Sequence, residues 1–215
     1  MNLNIFIHIE RGKLVNSIIS NKEDNQLKTK LLENGKELFS QKGFKNTSIS
    51  ELTKKCGIAA GTFYNYFNSK EELFLHIFNK EHNQLKKKIM KKVNKNDNLS
   101  IVVKELIYNY FKGMQSKPIL QHAFKKDIFR KIEKKTKYDP RENGDLAYDI
   151  FLPLIKNWQE EYKIVKKDPK YIFAFFESIF YVFLHKDDIG QEYFPDLLDD
   201  VINYIVEGIK YKDNN

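Results

Sequence analysis

Apolar residues recur at helical spacing along almost the whole chain, broken by short polar stretches. Leu27, Leu31, Leu38 and Phe39 form the first clear stripe and predict a helix from about Gln26 to Gln41. Gly35 lies where close helix packing needs little volume, Gly43 ends the helix, and Phe44 is expected to pack beneath the next segment. Ile49, Leu52 and Cys56, at i, i+3 and i+7, predict a short second helix. Thr47 or Ser48 caps it, and Ser48 and Glu51 have the spacing of a capping box. Gly57 falls where a left-handed residue ends a helix, and Ile58 plugs the corner. Ala59–Tyr66 reads as a third helix with Phe63 and Phe67 facing inward at i, i+4. Ser69 opens a fourth that reaches Lys92, with Leu73, Ile77, Leu85 and Ile89 on its core side.

After a polar break at Asn94–Asn98, Leu99, Val102, Val103, Leu106, Ile107, Tyr110, Phe111 and Met114 keep i, i+3, i+4, i+7 spacing for several turns. Pro118 starts a short helix with Ile119, Leu120 and Phe124, and Ile128, Phe129 and Ile132 mark another. Lys134–Asn143 is charged, contains Pro140 and reads as a loop. A helix over about Gly144–Lys163 holds Pro153, expected to kink it, and Trp158 near its end. Asp168-Pro169 opens the run Tyr171–Leu184, which is apolar nearly all round and therefore expected to be buried on every side, against its own core and a second subunit. The last helix, about Pro195–Tyr211, carries Leu197, Leu198, Val201, Ile205 and Ile209, with Ile202 and Val206 widening the stripe. Ahead of all this, Ile5, Ile7 and Ile9 alternate like a strand, while Leu14, Val15, Ile18 and Ile19 repeat like a helix. Residues 1–24 are read as an extension with a short helix near 11–20, a misplaced start codon being the alternative.

The expected fold is all-α. Its domains are the extension 1–24, a three-helix helix-turn-helix unit 25–70, a connecting helix 71–95 and a helical ligand-binding and dimerisation domain 96–215. With nine Gly and five Pro in 215 residues, helices are favoured over many turns. A single Cys excludes an internal disulfide or a cysteine-based zinc cluster and suits a reducing cytosol, so a cytoplasmic location is expected. No 18-residue apolar run occurs, so no membrane span is expected.

Charge is divided unevenly. Residues 1–95 hold 18 Lys and Arg against 9 Asp and Glu, whereas residues 96–215 hold 19 against 20. The positive excess thus accompanies the helix-turn-helix, as phosphate binding requires. The run Lys86, Lys87, Lys88, Lys91 and Lys92 is read as a solvated helix end.

The third helix leaves Ala60, Gly61, Thr62, Tyr64, Asn65 and Tyr66 outside. This face is small at its N-terminal end and rich in hydroxyl and amide groups, which suits insertion into a major groove with donors to phosphates and base edges. Together with Thr47, Ser48 and Lys70, the last beside a helix N-terminus, these are the candidate DNA-binding residues. The run from Cys56-Gly-Ile-Ala-Ala-Gly-Thr-Phe-Tyr-Asn-Tyr-Phe to Asn68-Ser-Lys-Glu-Glu-Leu-Phe74 resembles the turn, recognition helix and following helix of the tetracycline-repressor (TetR) family. By motif the resemblance covers about residues 26–75. Ala60 stands where many relatives carry a polar or basic residue. The resemblance implies a homodimeric transcription regulator that binds double-stranded palindromic operator DNA, most simply a repressor released by a small molecule.

Candidate residues for an apolar or aromatic effector are Tyr110, Phe111, Met114, Phe124, Phe129, Trp158, Phe173, Phe176 and Phe180, although each also reads as core filling and none brings a charged partner. Candidate dimer residues are Phe183, Leu184, Leu198, Val201 and Ile205. No cofactor or metal is expected, and the five His show no metal-ligand spacing. Without a phosphate loop or a nucleophile elbow, no enzyme is expected. The alternative reading is a helical homodimeric interaction protein whose basic surface binds RNA or membrane.

Overall fold

The computed structural model describes residues 3–94, 97–123, 132, 134–136, 146–161, 163–194 and 196–210. Among them every named element is helical, and an isolated antiparallel bridge joins Ile164 to Lys210. The order is α1 Leu3–Asn46, α2 Ile49–Cys56, α3 Ala60–Tyr64, α4 Lys70–Lys92, α5 Leu99–Ser116, α6 Pro118–Ala123, α7 Leu146–Glu160, α8 Pro169–Leu184, α9 Lys186–Ile189 and α10 Asp196–Ile209. A 3-10 turn, Gln191–Tyr193, precedes α10. No helix among the described residues is long and apolar enough to cross a membrane. The chain divides into a first unit, Met1–Phe78, and a second, Asn79–Asn215, with α4 contributing residues to both.

In the first unit α1 buries Leu31, Leu38 and Phe39, with Gly35 also buried on that stripe. At Gly43 the backbone leaves the helix (φ 80, ψ 167), a region open to glycine alone, so the apolar stripe ends there and Phe44 turns back into the core. Phe39, Phe44 and Phe74 then meet as three rings with centroids 5.2–5.9 Å apart. Helix α2 buries Leu52, Thr53 and Cys56, while Ile49, expected on that stripe, is only half-buried. A Cβ at Gly35 would lie 3.0 Å from Leu73 and 3.1 Å from Ile77, which explains the small residue.

The N-terminal expectation holds in part: residues 11–20 are helical, but as part of α1, which runs on from Leu3, so Ile5–Ile9 is helical rather than strand-like. Five alternating residues need a partner strand, and no strand is present among the described residues.

In the second unit α5 buries Leu99, Val102, Val103, Leu106, Phe111 and Met114. Pairs α5–α6, α7–α8, α8–α10 and α5–α10 pack together. Asp168 caps α8 by accepting from Lys170 N at 2.9 Å, with Pro169 in its first turn. Gln159 donates its amide to the carbonyls of Val165 and Lys167, which ties the α7–α8 connection to α7. Tyr108 of α5 donates to Asp199 of α10 at 2.6 Å; burial, then that carboxylate, pushes the phenol pKa to about 12.

In the single chain α8 is buried on one side and leaves Tyr171, Ala174, Ser178 and Tyr181 exposed along the other, the side that a second subunit was expected to cover. Three sequence readings change here. Residues 134–136 are helical where a loop was expected, and the rest of 134–143 and the helix expected around Ile128 lie outside the described residues, apart from Ile132, which is buried. Lys86 is buried at 4% exposure and does not belong to the solvated lysine run, whereas Lys87, Lys88, Lys91 and Lys92 are exposed. The reason is that α4 turns 78, 82, 85, 86 and 89 inward, a stripe wide enough to take in Glu81, His82 and Lys86. The last helix also buries a different side from the one expected: Leu198, Ile202, Val206 and Ile209 face the chain's own core, while Leu197, Val201 and Ile205 are half-buried.

Candidate nucleic-acid interface

The geometry of the turn follows from two end signals. Ser48 Oγ accepts from Glu51 N at 3.1 Å and starts α2. Gly57, left-handed at φ 67 and ψ 36, stops it, with its N–H donating to the carbonyls of α2's last turn. The reciprocal arm of a capping box is not what occupies Glu51, which pairs with Lys42. The chain leaves the corner through Ile58 and Ala59 and enters α3 at Ala60. Phe63 and Phe67 are fully buried beneath it, tilted ring neighbours with centroids 5.9 Å apart that fix the helix's rotation.

That rotation sets what faces out. Ala60, Gly61, Tyr64 and Asn65 are exposed, and Thr62 and Tyr66 are half-buried. Tyr64 is 56% exposed and lies edge-on to Phe63 at 5.4 Å. Added space at Gly61 meets no atom within 4 Å, so the start of α3 is open. Such a surface combines little bulk at the helix start with hydroxyl and amide donors further along, the combination that reaches base edges and phosphates in a groove.

Two sequence candidates lie elsewhere. Thr47 is buried at 2% exposure and donates its hydroxyl to Gly43 O at 2.9 Å, which closes the break between α1 and α2. Lys70 turns inward: its ammonium donates to Phe44 O at 2.8 Å and Thr47 O at 2.6 Å and lies 4.5 Å over the Phe44 ring. The cation was read as a phosphate ligand because it opens a helix; here it satisfies carbonyls at the end of α1. Ser48 is exposed, and its hydroxyl accepts in the α2 cap.

Contacts not foreseen from spacing surround the end of α3. Tyr66 donates its hydroxyl to Asp24 Oδ1 of α1 at 2.5 Å, and that hydrogen bond raises the phenol's pKa. Lys28, one turn along α1, lies 5.9 Å over the Phe67 ring, and His76 meets the same ring edge-on at 5.5 Å. Burial, then the Lys28 charge, lowers the His76 pKa. Cys56 is buried, and desolvation raises its thiol pKa, as suits a small core residue rather than a thiolate.

The effector candidates belong to the second unit and fall into two ring groups. Phe111 stacks on Phe183 at 3.9 Å and lies beside Tyr110, whose hydroxyl meets His82 Nε2 at 2.5 Å. Phe173 lies 5.9 Å from Phe151. Met114 and Trp158 are buried and Phe176 is half-buried; Phe124 and Phe129 lie outside the described residues, as does the side chain of Phe180. Polar partners are present after all: Glu81, buried, is bound by Lys117 at 2.7 Å, close in sequence to His82 and Lys86 on α4. Of the dimer candidates, Phe183 is engaged with Phe111 and Leu198 is buried at 3%, both within the chain itself. Val201 and Ile205 are half-buried, and Leu184's side chain lies outside those described.

Comparison with known proteins bears on both units. Residues 31–77 match the profile of bacterial regulatory proteins, tetR family. The uncharacterized HTH-type transcriptional regulator YuxN of Bacillus subtilis is 47% identical over 49 residues, 23% of this chain and 17% of its own length. The HTH-type transcriptional regulator UidR of Escherichia coli is 39% identical over 51 residues, 24% of this chain and 26% of its own length. Beyond those short stretches the likeness is one of fold. RolR in complex with resorcinol superposes with a TM-score of 0.62 at 16% identity, covering 88% of this chain and 90% of RolR. A TetR family transcription regulator from Marinobacter aquaeolei does so with 0.58 at 15% identity, covering 89% and 100%. The first unit thus carries a segment, residues 31–77, that matches the tetR family of bacterial regulatory proteins, and the chain as a whole shares the helical fold of these solved structures.

Proposed function

We propose that the chain is a sequence-specific DNA-binding transcription regulator that places α3 in the major groove of a palindromic operator as a homodimer, represses there, and is released by a small aromatic ligand. The observation that carries the reading is the outer face of α3, where Tyr64 and Asn65 stand exposed beyond an open start at Ala60 and Gly61, over a fully buried Phe63. Dimerisation is supported by the exposed sides of two packed helices, Tyr171, Ala174, Ser178 and Tyr181 on α8 and Tyr204 on α10. The ligand class is supported by the stacked rings of the second unit and the polar His82–Tyr110 pair beside them, which suit an aromatic ring bearing one hydrogen-bonding group. RolR, similar in fold, is a protein crystallised with resorcinol.

Selection from a pool of random duplexes tests the reading. The chain is expected to enrich a palindrome whose half-sites are centred about 34–36 Å apart or a multiple of that. Recovery of unrelated sequences, or equal retention of single-stranded RNA, would remove the sequence-specific reading.

A further inference from the structure

Tyr66 lies within the segment shared with the tetR family, but the group that holds its hydroxyl does not. Asp24 precedes residue 31, where the family match begins, and reaches Tyr66 from α1 across 42 positions of sequence. A phenol has one proton, and here it is given to a carboxylate at 2.5 Å. The same face of α1 meets the α3–α4 corner again one turn later, where Lys28 covers Phe67. The contact is therefore part of how α1 lies on this corner, not a chance surface pair.

A phosphate oxygen is an acceptor, so it competes for the hydroxyl proton that Tyr66 now donates to Asp24, and it is repelled by the negative charge beside it. Resting on the DNA-binding reading of α3, we infer that Asp24 is a positioning residue that restrains the Tyr66 hydroxyl and lowers duplex affinity. Binding then requires Tyr66 to exchange a carboxylate acceptor for a phosphate one. The raised pKa of the phenol accords with a proton held by a neighbouring anion. A residue outside the shared segment thus sets how strongly the shared segment grips DNA.

The test is a two-by-two cycle on the duplex that the wild-type chain enriches from a random pool, read by fluorescence anisotropy. Asp24→Ala is expected to bind about fivefold more tightly, the range of one net hydrogen bond. With Tyr66→Phe in the background, Asp24→Ala is expected to give no gain. Asp24→Asn, which drops the charge and keeps an acceptor oxygen, should fall between wild type and Asp24→Ala. A folded Asp24→Ala that binds no better than wild type overturns the inference, and so does a full gain that persists without the Tyr66 hydroxyl, which assigns the effect to charge alone. If the wild-type chain enriches no duplex, the functional reading fails and this inference with it; enrichment without a gain in Asp24→Ala defeats this inference only.

Discussion

Lys70 and Gly43 act together at the residue scale. Gly43 breaks α1 in a conformation reserved for glycine, and Lys70 binds the carbonyls that the break leaves at Phe44 and Thr47. Gly43→Ala is expected to lower stability by about 1–3 kcal/mol through backbone strain. Lys70→Met should cost a similar ~1–3 kcal/mol by leaving part-buried carbonyls unsatisfied. Urea denaturation followed by circular dichroism reads both, and a Lys70→Met midpoint equal to wild type would show that these carbonyls do not depend on the ammonium. The Ser48 cap and the left-handed Gly57 were legible because their signals are local, one hydroxyl and one missing Cβ. The direction of Lys70 was not, because its acceptors lie 23 and 26 residues away.

Helix α10 carries apolar residues on two faces. On α10, Leu198, Ile202, Val206 and Ile209 serve the chain's own core, and Leu197, Val201, Tyr204 and Ile205 lie around the other side. Spacing alone shows both sets and cannot say which one is turned inward, so Leu198 was grouped with its neighbours. Tyr204→Asp, at a position 75% exposed in the single chain, is expected to give folded monomers, whereas Leu198→Asp should unfold the unit, since an unpaired buried charge costs several kcal/mol (~3 or more). Sedimentation and thermal melting separate the two; a Tyr204→Asp protein that sediments like wild type would move the interface elsewhere. Gly113 of α5 shows close packing that no periodicity announces. A Cβ there would fall 2.1 Å from Leu85 Cδ1 and 3.0 Å from its Cγ, so the whole isobutyl head must move. Overpacking of about 1–3 kcal/mol exceeds the ~1 kcal/mol helix gain from Gly to Ala, so Gly113→Ala should lower the melting temperature.

For the whole molecule the fold class was plain from the sequence, since helical spacing persists through both units. Charge was less plainly read. The first unit, residues 1–78, holds 11 basic and 8 acidic residues, while residues 79–95 alone hold seven Lys and one Glu. Most of the positive excess therefore lies on the second-unit part of α4 and the residues after it, and cannot be credited to the α3 face. If α4 links ligand and operator, the coupling must be reciprocal: a ligand that weakens DNA binding tenfold is itself weakened tenfold by DNA, about 1.4 kcal/mol either way. Trp158, 2% exposed, should report the ligand by a change in emission, and operator should shift that titration to higher concentration. Titrating Tyr64→Ala against the selected duplex asks whether the α3 face grips DNA, because Tyr64 is the large exposed side chain of α3. The expected result is an affinity loss of about tenfold or more with the melting temperature unchanged; wild-type affinity in Tyr64→Ala would contradict the docking.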